Sequence, residues 1–150
     1  MADITPIKFI MDQASKKIDF INDEMKVALF HGTYNCVWLS GKETYDDLIA
    51  NELPELYGYI TGGFSVTNKT LTQDIENNVI RYDMDDIEVS VIGGTFGPTR
   101  YGVLYNISNN NNIVYIFDFT EDKYVNDGAK FKIKIDDGGI MTGTSSCVCA

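Results

Sequence analysis

The chain has 150 residues, 44% of them hydrophobic and 12% aromatic, with nine tyrosines and eight phenylalanines. That is one domain's worth of core, and too apolar for a disordered segment. The net charge is −10, with the same basic and acidic counts on either side of residue 75, so no charged tail or separately charged domain is set off, and a strongly basic nucleic-acid surface is excluded at the level of composition.

Taken in chain order, residues 4–18 place Ile4, Ile7, Ile10 or Met11, Ala14 and Ile18 at spacings of three and four. This predicts a short amphipathic helix with Pro6 in its first turn. Asp3 stands where a secretory signal would be basic, and Asp12 interrupts the apolar run. No stretch approaches the roughly 20 apolar residues of a membrane-spanning helix. A reducing cytoplasm is the expected site of synthesis, with no membrane partner. Cys36, Cys147 and Cys149 then read as free thiols. Met25 to Phe30 (MKVALF) is a compact apolar run between Asp23-Glu24 and His31-Gly32, the pattern of a buried strand. Residues 34–58 form an irregular insert, with Thr44 as N-cap of a turn or two of helix that ends before Pro54.

Beyond Gly58 the pattern changes to short strands separated by turn signals. Strands are predicted at Phe64 to Thr67, Thr70 to Gln73, Val79 to Asp83 and Asp86 to Ile92. Tyr101 to Ile107 and Ile113 to Phe119 flank the asparagine tract Ser108 to Asn112, which predicts an antiparallel hairpin with that tract at its tip. Lys130 to Asp136 and Ile140 to Thr142 close the series. The expected fold is all-β with a short N-terminal helix: an antiparallel β-sandwich or jelly-roll-like barrel of about eight or nine strands. The expected organisation is an N-terminal helical arm over residues 1–24, a β domain over 25–142 and a flexible tail over 143–150.

Candidate chemistry is sparse. His31, the sole histidine, lies five residues before Cys36, but no orienting acid or oxyanion loop accompanies the pair, and it reads as structural. Asp83 to Asp86 lacks the glycine and distal glutamate of a helix-loop-helix calcium loop and reads as a solvated turn. Gly93 to Arg100 lacks the Gly-Lys-Ser/Thr of a phosphate loop and reads as a wide loop displaying Phe96. Lys130, Lys132 and Lys134 alternate with Phe131, Ile133 and Ile135, as on a strand with one wet face. No catalytic residue, metal site or cofactor is assigned, and the chain is expected not to be an enzyme.

From Met25 to Thr142 the order of features resembles small virion proteins of tailed bacteriophages. The resemblance is carried by MKVALF, then Tyr59 with Gly62-Gly63, the aspartate-rich step Asp83 to Asp86, Arg100-Tyr101 opening a strand, the hairpin arm VYIFDF, and DGAKFKIKIDDGGIMT. The insert around Val37 to Pro54 and the cysteine-bearing tail depart from the pattern. The resemblance implies a capsid decoration or cement protein, commonly a homotrimer, that binds the major capsid protein on the exterior of the head and contacts no nucleic acid. Alternatives are a tail- or connector-associated virion protein, or a carbohydrate-binding or head-fibre module with Trp38 in a sugar platform. The contact residues expected on this basis are Ile7, Phe9, Ile10, Trp38, Leu39, Tyr45, Leu56, Tyr57 and Phe96.

Overall fold

A computed structural model describes residues 4–32, 42–135 and 139–144. Its strands are β1 (Met25–Phe30), β2 (Phe64–Ser65), β3 (Thr70–Asp74), β4 (Val79–Asp83), β5 (Ile87–Ser90), β6 (Phe96–Asn106), β7 (Asn112–Val125), β8 (Lys130–Ile133) and β9 (Met141–Thr144); the helix α1 spans Ile7–Ala14. All strand pairings are antiparallel. The all-β expectation is met. The described strands form three separate sheets, ordered β2-β1-β6-β7, β3-β4-β9 and β5-β8, and they do not close into a barrel.

The first sheet is central. Its strands are apolar on both faces, which is why MKVALF and the parts of the hairpin arms nearest the tip read as near-continuous hydrophobic runs rather than as alternation. One face, with Val27, Leu29, Leu104 and Phe117, packs on Ile87, Val89, Phe131 and Ile133 of the β5-β8 pair and on Met84 and Ile140. The other face, with Ala28, Phe30, Tyr101, Val103 and Ile116, is covered by Tyr45 and Leu48 from the described part of the insert, and by Ile4. Thr44 is the N-cap, as expected, of the 3-10 turn Tyr45–Asp47, and Asp47 completes a capping box with it. The insert therefore closes the back of the central sheet. Its hold on β1 is a backbone one, His31 N–H to Asn51 O and Leu53 N–H to Leu29 O, each 2.9 Å.

The long hairpin β6-β7 carries the asparagine tract at its tip, where Asn110 and Asn111 take left-handed φ of 53° and 58°. β6 begins earlier than the sequence suggests. The expected wide loop shrinks to Gly93–Thr95, because Phe96 pairs with Val125 and the ladder tolerates Pro98 by shifting register between Phe96, Thr99 and Tyr101. Gly63 explains the Gly-Gly pair: its φ is +87°, and a Cβ there would lie 1.9 Å from the Val27 carbonyl oxygen.

The N-terminal segment is docked on this body. Ile4 exchanges both backbone hydrogen bonds with Ile116, each 2.9 Å, and Phe9 and Phe20 are buried edge-on to Tyr82. Lys130 and Lys132 lie exposed on β8 and pair with Glu88 and Asp86, at 2.6 and 3.3 Å, so the alternating lysines form a solvated face as expected.

Candidate functional site

Helix α1 is mounted inside out. An amphipathic helix ordinarily buries its apolar stripe, yet here Ile7, Ile10 and Met11 are 70%, 55% and 61% exposed, and Ala14 is exposed with them. The face turned inward carries Phe9 and Asp12, flanked by half-buried Lys8 and Gln13. Polar chemistry accounts for this orientation. The Asp12 carboxylate, 3% exposed, accepts from Asn112 Nδ2 at 3.0 Å and Asn109 Nδ2 at 3.1 Å and pairs with Lys8 Nζ at 3.1 Å. Gln13 Nε2 donates to the Tyr82 hydroxyl. The asparagine tract thus supplies the ligands of a buried carboxylate, and the helix is clamped with its hydrophobic side to solvent. Leaving three large side chains largely uncovered forgoes burial worth about 1 kcal/mol or more for each.

A second apolar surface lies at the other end of the hairpin. The loop Leu53 to Tyr57 and the segment Thr95 to Gly97 line a hollow of about 90 Å³. Leu56 and Tyr57 stand at its lip, 50% and 38% exposed, and Phe96 forms part of its lining. Tyr57 takes a φ of 57°, and its ring lies so close to Gly94 that a Cβ there would approach it to 2.5 Å. Ile92, which donates its N–H to the Tyr57 carbonyl, is also exposed.

Of the expected contact residues, Ile7 and Ile10 share the outer face of α1, and Leu56 and Tyr57 share the hollow. Three others are interior and correct the reading from sequence. Phe9 is 2% exposed because it occupies the helix face packed on Tyr82; Phe96 is buried against Tyr59 and Phe131; Tyr45 turns inward to stack on Tyr105, with ring centroids 4.5 Å apart. Trp38 and Leu39 fall outside the described residues, as do Cys36, Cys147 and Cys149. Met11 and Ala14 belong to the exposed stripe but not to the expected contact set. Their signal was present in the helical spacing; what spacing cannot say is which way the stripe points.

No protein-family model, curated protein or solved structure matches this chain.

The remaining polar constellations make hydrogen bonds within the fold. His31 donates its Nδ1 hydrogen to the Pro98 carbonyl at 2.9 Å, and Met84 to Asp86 connect β4, which ends at Asp83, to β5, with Asp85 accepting from Thr67 and Asn68. Among the described residues, no group of three His, Cys, Asp or Glu side chains is arranged to hold a metal ion. A further network surrounds Glu52, which sequence reading did not single out. Its carboxylate accepts from the Tyr59 hydroxyl at 2.6 Å, from the Gly62 N–H at 2.7 Å and from the Tyr45 hydroxyl. The Tyr59 hydroxyl in turn accepts the Leu29 N–H at 3.0 Å, and the Tyr105 hydroxyl donates to the Gly62 carbonyl at 2.6 Å.

Burial, reinforced by the nearby Glu52 charge, holds all three phenols neutral well past their ordinary range, with Tyr105 pushed up to about 12 and Tyr45 and Tyr59 raised further. In the unfolded chain they ionise near pH 10. Their contribution to stability is therefore complete below about pH 10 and is lost as pH rises through the folded-state values. Phenolate absorbance followed alongside far-ultraviolet circular dichroism should show these three tyrosines ionising only as the chain unfolds. Ionisation of all nine near pH 10 with the fold intact would contradict the buried network.

Proposed function

We propose that this chain is a structural protein of a tailed-bacteriophage virion, a decoration or cement protein that binds the outer surface of the assembled head and stabilises it. The observation that carries this reading is the fixed, outward-facing apolar stripe of α1. A helix held by a buried carboxylate so that Ile7, Ile10 and Met11 meet solvent is built for contact with another surface. The resemblance from Met25 to Thr142 gives that surface its class. A small acidic β body bearing apolar contact faces suits a protein that joins a shell after assembly. It would stabilise the shell by mass action, because its binding surface exists only on the assembled lattice. On this reading the chain turns over no substrate, and its partners are the major capsid protein and further copies of itself.

The test is co-sedimentation of the purified chain with emptied, expanded heads that lack it, followed by heating of the decorated heads. Saturable pelleting and a higher temperature of shell opening are expected. A chain that stays in the supernatant at all concentrations would sink the reading.

A further inference from the structure

We infer that the outer face of α1 on one copy seats in the Leu56–Tyr57 hollow of a second copy, so that copies join head to tail. This deepens the proposed function by naming what covers the stripe, and rests on it only for the premise that the stripe is covered in the working state. The two surfaces lie at opposite ends of one element. Asp12 anchors α1 to Asn109 and Asn112 at the tip of the β6-β7 hairpin, whereas the hollow is lined by Phe96 and Gly97 at the start of β6. The ten-residue separation from Phe96 to Asn106 corresponds to about 30 Å along an extended strand. A chain cannot satisfy its own hollow with its own helix, but a neighbour can.

Charge distinguishes a second copy from other apolar partners. Residues 4–18 contain three lysines and one aspartate within a chain of net charge −10. The aspartate is the buried Asp12, paired with Lys8, which leaves exposed Lys16 and Lys17 beside the stripe. The residues lining the hollow are uncharged, and two carboxylates lie near it: exposed Glu55 in its loop, which accepts the Thr61 N–H at 3.3 Å, and Asp127, which accepts the Gly93 N–H next to the Tyr57 ring. A basic-rimmed knob and a hollow with carboxylates near it on one chain are complementary to each other. Because the two patches differ, the contact is heterologous and propagates until it closes into a ring, as three copies around a local three-fold would require, or continues as a filament.

Sedimentation velocity on the full chain tests this with Ile10→Glu, which spoils the knob, and Leu56→Glu, which spoils the hollow. Both positions are exposed, so unchanged circular dichroism and urea midpoints will confirm that the variants fold. The wild-type chain should sediment as a multiple of 16.8 kDa. Each variant alone should be monomeric at concentrations where the wild type associates, with affinity weakened at least about tenfold. An equimolar mixture should form a species of two chains, since one variant retains an intact knob and the other an intact hollow. Lys16→Glu combined with Lys17→Glu should weaken association, and adding Glu55→Lys should restore part of it. A wild type that remains at 16.8 kDa at the highest attainable concentration, or a mixture that fails to pair, overturns the inference. A monomer that still pellets with heads removes the head-to-tail contact and leaves the proposed function standing. An oligomer that never pellets does the reverse.

Discussion

Replacing Glu52 by alanine should lower the free energy of unfolding by about 3 kcal/mol, because three donors lose a charged acceptor and the buried Tyr59 hydroxyl has no other acceptor for its hydrogen among the described residues. The size comes from adding the cost of stranded donors, about 1–3 kcal/mol for each that stays dry, and discounting those that water can reach. Tyr59 is 2% exposed and loses close to the full amount; the Gly62 N–H lies beside a half-buried side chain and loses less. Urea denaturation measures the loss. Glu52→Gln keeps one acceptor oxygen and should lose about 1 kcal/mol. Phenolate absorbance supplies an independent readout: without the Glu52 charge and its hydrogen bonds, Tyr45 and Tyr59 should ionise at lower pH than in the wild type. A loss under about 0.5 kcal/mol, the range of ordinary surface substitutions, would mean that the insert is held by its apolar contacts alone.

The same network shows what could be read from sequence and what could not. Strand positions were legible wherever alternation and turn residues acted locally: β4 occupies Val79–Asp83 and β5 Ile87–Ser90, both inside their expected spans. The run Met25–Phe30 was legible as a buried strand. Its double-sided burial implies a cover on each face, and the cover on one face is the insert that looked irregular, because 3-10 turns and two isolated bridging residues, Thr44 and Glu52, leave no periodic trace. Glu52 is one of 22 acidic residues in the sequence. Only the fold brings it under Tyr45 and Tyr59. Phe96 was misplaced for a related reason: Gly-Gly and a nearby proline are local loop signals, and a long-range ladder with β7 overrides them. The contact residues divide in the same way. Helical spacing identified the Ile7, Ile10 stripe, but its exposure depends on Asp12 finding amide donors about 100 residues away.

That dependence makes Asp12 the position where stability and presentation of the contact face are coupled. Asp12→Ala should cost about 3 kcal/mol, the lower end of the penalty for removing one partner from a buried, hydrogen-bonded charge pair, since Lys8 can turn to water while the Asn112 amide cannot. A double-mutant cycle with Asn112→Ala should return a coupling of about 1–2 kcal/mol, because the two side chains share one hydrogen bond in a dry site. The second consequence concerns the helix itself. With the carboxylate gone, the Gln13 hydrogen bond to Tyr82 is the polar hold left on the inward face, and the hydrophobic effect favours rolling α1 so that Ile7, Ile10 and Met11 approach the body. Hydrogen exchange should then report faster opening of residues 7–14, and self-association should weaken although no residue of the exposed stripe has changed. Asp12→Asn should lose less than the alanine variant, because its Oδ1 can take the place of the one oxygen that accepts from both asparagine amides, while its NH2 faces Lys8, which can swing to water. If Asp12→Ala left both the urea midpoint and the exchange of residues 7–14 unaltered, the outward mounting of α1 would have to come from Phe9 and Gln13 and their contacts with Tyr82.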